Sequence, residues 1–232
     1  MLSLVKDDNF CFPIPDVLET EKLKLPSLHA DNITNAADTN TWRYLPIGPF
    51  TSAQDFIERY YEARVRPNSG YTVFVGLDKT RLSSNGDPII AGMTGYIHTS
   101  RDELRTELMV LVLPKFQHTH VASHMIGLLL RYALNLPTDP ERGLGLRRVQ
   151  WETNAKNKSS IGLAMKMGLR MEGLKRWAGV LQPGKEDGSN GHSTRQGDPR
   201  EGQRGSDTAC LAICWDEWEE GGKKRVEEIL MR

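Results

Sequence analysis

Pro114 constrains this chain more than any other residue. It closes an apolar run, Leu108 to Leu113, that reads as a strand, because proline cannot donate to a continuing ladder. A few residues later an apolar-periodic helix opens over Val121 to Leu136. Between them stands Gln117-His118-Thr119-His120-Val121-Ala122. A turn that enters a helix offers unpaired backbone N–H groups and the positive end of the helix dipole, which together favour an anion. A second strand, Arg148 to Thr153, runs into Asn154-Ala155-Lys156-Asn157-Lys158-Ser159-Ser160 and a further helix, Asn157 to Met167. Two strand–helix units in this order can hold a phosphate-bearing cofactor at one junction and lead it toward the other.

The flanks complete a mixed α/β pattern with one sheet. Residues 1–17 read as an irregular arm, with Pro13 and Pro15 blocking regular pairing. Leu23 and Leu25 alternate with lysines as in a half-buried strand, and Ala30 to Thr41 suggests a short helix. Ser52 can cap a helix that ends before Pro67 and lines Phe56, Ile57, Tyr60 and Tyr61 on one face. Tyr71 to Leu77 and Ile89 to His98 form a hairpin around Ser83-Ser84-Asn85-Gly86-Asp87-Pro88, and Arg105 to Leu113 is the next strand. From 182 to 207, glycines alternate with polar residues and no apolar period survives, so a flexible loop is expected. Thr208 to Trp215 returns to strand character, and 221–232 is a tail carrying an amphipathic helix, Lys223 to Met231.

Composition excludes some functions. Acidic and basic residues balance at 30 each, against a broad electrostatic grip on nucleic acid or anionic membrane. No apolar run approaches a membrane span and no signal-peptide pattern opens the chain, so a soluble cytoplasmic protein is expected. Cys11, Cys210 and Cys214 make no disulfide framework; the last two share a strand face as small hydrophobes. His118, His120 and His124 tempt a metal reading, but no carboxylate lies in the adjoining helix turns, and no metal is expected.

The paired junctions resemble the GCN5-related N-acetyltransferases. In that family a Gln/Arg-x-x-Gly-x-Gly/Ala loop cradles the pyrophosphate of acetyl-CoA, and Gln117-x-x-His120-x-Ala122 occupies its place. The family pattern continues through Trp151, Asn154, Asn157 and Ser160, then Gly168-Leu169-Arg170-Met171-Glu172-Gly173-Leu174-Lys175-Arg176. With Glu19 to Leu25 and Trp42 to Phe50, it looks like the branch that contains the ribosomal-protein N-terminal acetyltransferases and their small-molecule relatives. The resemblance covers residues 18–220 as one acyl-CoA N-acyltransferase domain. It implies a mixed, mostly antiparallel seven-stranded sheet whose fourth and fifth strands splay apart.

It also implies roles. Acetyl-CoA is the co-substrate and a primary amine attacks it directly in a ternary complex. Leu111, Val112 and Leu113 bind the cofactor, with Leu111 and Val112 as oxyanion donors. Backbone groups of Gln117, His118, Thr119, His120, Val121, Ala122 and Ser123 hold phosphate. His120 departs from the family glycine. Asn154 and Asn157 bind the arm, Asn157 being equally a helix N-cap. The helix has no tyrosine, and Ser160 is the candidate acid or water-positioner. Glu107 and Glu152 are candidate bases, with Glu103 beside them. His98 ends the preceding strand; it is a further candidate base and is counted with Trp42 and Tyr44 on the acceptor side, although aromatics among prolines are as readily core. A small-molecule amine is the first acceptor. A protein N-terminal amine, or a non-catalytic acyl-CoA or partner-binding module, stands as the alternative. Monomer and homodimer both stay open.

Overall fold

The computed structural model describes residues 9–27 and 42–232. Among the described residues eight strands form one sheet in the order β1-β2-β3-β4-β5-β6-β8-β7. They are β1 (Val17–Glu19), β2 (Leu23–Pro26), β3 (Thr72–Leu82), β4 (Pro88–Ser100), β5 (Arg105–Val112), β6 (Arg148–Asn154), β7 (Arg170–Val180) and β8 (Gly205–Cys214). The expectation of seven strands is corrected. Val17 already pairs with Pro26 and Leu18 with Leu25, so the end of the expected arm becomes an additional edge strand. The helix expected at Ala30 to Thr41 lies outside the described residues.

All described pairings are antiparallel except one. β5 and β6 run parallel and pair only from Arg105↔Arg148 through Glu107↔Gln150. β5 continues to Val112 against β4, and β6 continues to Asn154 against β8. The two strands therefore part after Glu107 and Gln150, each held by its outer neighbour.

Two apolar layers hold the sheet. On one face pack α2 (Val121–Leu134), α3 (Lys158–Lys166) and α5 (Lys223–Leu230). α2 is buried nearly all round, because α5 covers the side the sheet does not. Gly127 makes this possible: a Cβ there would lie 2.7 Å from Leu230. The tail helix is thus core rather than appendage, and each of Val226, Ile229 and Leu230 contributes about 1.5–3 kcal/mol of burial. The short α4 (Trp215–Glu217) leads into a wider turn over Trp218–Gly222. The irregular segment before β1 also docks, with Phe10 stacked against Tyr96 at 6.1 Å.

The opposite face carries α1 (Ala53–Phe56), capped by Ser52, which continues as wide π turns over Ile57–Val65. Phe56, Tyr60, Tyr61 and Val65 pack with Trp42 and Phe50 on Val73, Val75, Met93 and Leu111. The segment 182–207, expected to be flexible, is fastened at several points. Lys185 Nζ donates to the carbonyls of Leu45 and Ile47 at 2.6 and 2.7 Å. Asn154 Nδ2 donates to Gly188 O at 2.9 Å, and Asn190 N–H to Gly205 O at 2.9 Å. Composition predicted no core for this stretch, and it has little; polar tethers hold it instead.

Candidate active site

The chain leaves β5 through a tight turn, Pro114–Phe116, in which Phe116 N–H returns to Leu113 O at 2.9 Å. Thr119 Oγ1 donates to Phe116 O at 2.6 Å and accepts from Val121 N–H at 3.3 Å. α2 then begins, its first closed turn marked by His124 N–H on His120 O at 3.0 Å. The backbone N–H groups of His118, Thr119, His120, Ala122 and Ser123 have no hydrogen-bond partner among the described residues. They stand at the positive end of a fourteen-residue helix. This arrangement suits an anion with several oxygens. Gln117 turns its side chain away from it, donating to Val112 O at 3.3 Å.

Where the resemblance expects glycine, His120 has an ordinary helical backbone, φ −65°. The left-handed residue of the loop is His118, φ 61°. His120 therefore makes no conformational demand that glycine would ease. Its ring turns inward, Nε2 lying 3.3 Å from Oδ1 of Asp78. Sequence spacing shows no carboxylate near these histidines, and β3 brings one across the sheet. Asp78 is 1% exposed, and its Oδ1 accepts from Thr80 N–H at 2.9 Å and Thr80 Oγ1 at 2.7 Å. His124 packs edge-on to His120 with ring centroids 5.2 Å apart. Burial first, then the charges of His120 and Lys22, push the His124 imidazole down to about 4. Among the described residues no group of three His, Cys, Asp or Glu side chains is placed to hold a metal. Arg81, also unanticipated, lies over the Phe116 ring at 4.8 Å and brings a cation beside the loop.

The parting strands supply the second element. Leu113 N–H donates to Ala91 O at 2.9 Å, on the β4 side. A strand alternates the direction of its amides, so Leu111 also faces β4. The close approach is visible at Gly92, where a Cβ would lie 2.1 Å from Leu111 O. Val110 and Val112 consequently present their N–H groups to the opening. Leu111 and Leu113, expected to share that edge, are engaged on the other side, and Val110 takes their place.

α3 closes the second junction. Asn157 caps it, Oδ1 accepting from Ser160 N–H at 3.2 Å. Ser160 Oγ accepts the indole N–H of Trp151 at 2.9 Å. Asn154 is committed at both ends: Oδ1 accepts from Lys156 N–H at 2.8 Å while Nδ2 holds Gly188 O. It ties the 182–207 segment to β6.

The acceptor-side candidates separate by environment. Glu152 is ion-paired with Lys175, and Glu103 with Arg105. Glu107 is 6% exposed; its Oε2 lies 3.0 Å from His98 Nδ1 and 3.1 Å from Gln150 Nε2. Trp42 is core, edge-on to Phe50 at 5.0 Å. Tyr44 is half-buried, with the Arg43 guanidinium 5.2 Å above its ring. Gln150, absent from the expected set, is the residue that joins β6 to Glu107. Cys210 and Cys214 are half-buried free thiols facing Glu152 and Arg148 across the ladder, and burial pushes both thiols up.

A family model described as an acetyltransferase (GNAT) domain matches residues 22–170. Among solved structures, a GCN5-related N-acetyltransferase from Brucella melitensis superposes with a TM-score of 0.70 at 19% identity, covering 94% of this chain and 86% of that one. The spermidine N-acetyltransferase from Vibrio cholerae, in complex with CoA and spermine, gives 0.60 at 16% identity over 85% of this chain and 98% of that one. A GNAT-family acetyltransferase from Bacillus anthracis gives 0.58 at 17%, covering 86% and 99%. At these identities the superpositions speak for the fold. No curated protein matches the chain.

Proposed function

A chain that belongs to the GNAT acetyltransferase family is an acyltransferase, and we propose that this one moves an acetyl group from acetyl-CoA to a primary amine of a small molecule by direct attack in a ternary complex. The observation that carries the proposal is the parting of β5 and β6 after Glu107↔Gln150, with an unpartnered set of helix N-terminal amides at one end and α3 at the other.

The donor supplies an activated thioester, so the protein must position, take a proton and stabilise charge. The amides of His118, Thr119, His120, Ala122 and Ser123 hold the pyrophosphate, and Arg81 adds a cation beside them. Val110 and Val112 offer N–H groups along the opening to the pantetheine arm and to a carbonyl oxygen. Asn157 presents its amide nitrogen from the cap of α3. Ser160 Oγ already accepts from Trp151, so its own proton is the one left to give. His98 and Glu107 stand where the two strands begin to part and Glu152 lies further along β6; Tyr44 and the tethered 182–207 segment are assigned to the acceptor's approach.

The test is a panel of primary amines with acetyl-CoA, read by release of free thiol and paired with a thermal-shift measurement. Acetyl-CoA at ~100 times its dissociation constant should add roughly 2.7 kcal/mol of stability. A melting temperature that stays put at millimolar acetyl-CoA would sink the donor assignment. Binding without thiol release from any amine would leave an acyl-CoA-binding module.

A further inference from the structure

We propose that His98 is the general base of the transfer and that Glu107 is the positioning residue that orients it, a pair assembled by a bulge in β4 where β5 and β6 begin to part. The proposal rests on the acyl-transfer reading above.

Strand alternation alone would not bring these residues together. Met93, Gly95 and Ile97 of β4 lie opposite Leu111, Met109 and Glu107 of β5, on the face that carries α1. A regular strand would turn His98 to the other face, toward α2. The register breaks between Ile97 and Ser100, and His98 adopts a left-handed backbone with φ 50°. A bulge of this kind re-aims one side chain. The conformation costs a β-carbon residue about 1–2 kcal/mol and persists only where its surroundings hold it. Here Thr99 N–H donates to Gly70 O at 3.0 Å, and Thr99 Oγ1 meets Thr106 Oγ1 at 2.7 Å. The Tyr71 ring stands edge-on to the imidazole, centroids 5.3 Å apart.

The geometry selects the imidazole over the carboxylate as the proton acceptor. Glu107 Oε2 receives both His98 Nδ1–H and the Gln150 amide. A carboxylate is an acceptor only, so it selects the tautomer with the proton on Nδ1 and leaves the Nε2 lone pair free. The His98 side chain is 54% exposed, against 9% for that of Glu107, so Nε2 opens toward an incoming amine and solvent. The other charged and titratable groups around the pair are Tyr71, whose hydroxyl is pushed up by burial and by Glu107; Arg64 from the π turns, which opposes that push; and, on the neighbouring strands, the Glu152–Lys175 ion pair and the Cys210 thiol, pushed up by burial first and then by Glu152. Glu152 and Glu103 are each held in an ion pair with a neighbouring cation, so neither carboxylate is oriented toward an incoming amine as the His98 ring is.

The acceptor arrives as an ammonium, and His98 Nε2 takes one N–H proton. The freed lone pair attacks the thioester carbonyl carbon. A C–N bond forms and the C–S bond breaks with its electron pair on sulfur. The Ser160 hydroxyl gives its proton to the sulfur and takes the second N–H proton in its place, and imidazolium returns its proton to solvent. The products are the amide, the free thiol and one proton.

The experiment compares the wild-type chain with His98→Gln, Glu107→Gln and His98→Ala. Acetyl-CoA affinity by calorimetry should be the same in all four. With an amine that supports thiol release, His98→Gln should lose 10²–10⁴-fold in kcat, and the acidic limb of its kcat/KM profile should disappear. Imidazole should partly rescue His98→Ala. Glu107→Gln should lose less and displace the acidic limb. In the free protein, nitrogen NMR should find the His98 proton on Nδ1 in the wild type and redistributed to Nε2 in Glu107→Gln, a change that a merely structural Glu107 would not produce. A His98→Gln enzyme that binds acetyl-CoA and keeps the wild-type rate and profile overturns the proposal while leaving acyl transfer intact. A wild type that binds no acetyl-CoA overturns both.

Discussion

The indole N–H of Trp151 donates to Ser160 Oγ at 2.9 Å and so ties the floor of β6 to the first turn of α3. Trp151 is 2% exposed, so this is a buried donor with one acceptor. The same serine gives its backbone N–H to the Asn157 cap. Ser160 is therefore a joint between strand and helix before it is anything chemical.

Ser160→Ala should cost about 1–3 kcal/mol in urea unfolding, because it strands the indole donor. It should also lower kcat with acetyl-CoA affinity unchanged, if the serine proton serves the departing sulfur. Ser160→Thr should restore both. An alanine variant that is less stable but turns over normally would reduce Ser160 to the tryptophan's partner.

His120→Gly should leave acetyl-CoA affinity within the error of calorimetry. The ring faces Asp78, and the proposed phosphate contacts are backbone amides. Stability should fall by about 1 kcal/mol, the usual cost of glycine at a helical backbone position. A clear loss of affinity, about tenfold or more, would mean that the imidazole itself reaches the phosphate.

Stability should decline on mild acidification. The His124 imidazole lies at about 4 in the folded chain, against 6.5 for the free side chain. Its folded value is the lower one, so the unfolded chain takes up more protons between those limits. Its contribution is whole above pH 6.5 and is lost as pH falls toward 4. At about 1.4 kcal/mol per unit, discounted for residual contact with water, on the order of 2 kcal/mol is at stake. Thr20 Oγ1, which already accepts from Lys22 and Leu23 N–H, bonds His124 Nδ1 at 2.9 Å and favours the neutral ring. Urea midpoints of the wild type and His124→Gln at pH 7 and pH 4.5 measure it. Equal pH slopes in the two proteins would contradict the assignment.

Lys185→Met should loosen the 182–207 segment from the acceptor side. Lys185 is 7% exposed, its ammonium meets two carbonyls and, among the described residues, no carboxylate, and burial holds its pKa below the usual lysine range. Removing it should shift the Michaelis constant or the preference among amines while acetyl-CoA affinity holds. A change in cofactor affinity instead would place the tether on the donor's side of the opening.

Much of this architecture was legible from local pattern. Pro114 ended β5, the apolar period over Val121 marked α2, and Asn157 announced a cap that the structure contains. The order of these elements was enough for the resemblance, and the family model bears it out. The residues read less well were those whose partners are far away in sequence. Asp78 reaches His120 across the sheet, Gln150 reaches Glu107 across the parallel rung, and Lys185 reaches back to Leu45 and Ile47. The polar composition of 182–207 carries no apolar period, and composition does not register side-chain tethers to distant carbonyls.

The sequence by itself determined the kind of elements, their order and the helix N-terminus that can receive an anion, because periodicity, proline and capping act within a few residues. Tertiary structure decided which amides face the opening and which side chains meet there. Leu111 lost its expected place to Val110 because pairing with β4 sets the direction of every amide along β5. His98 reached Glu107 because a bulge reversed its side chain. Both outcomes depend on strand register, which is settled by contacts between segments and has no signature in either segment alone.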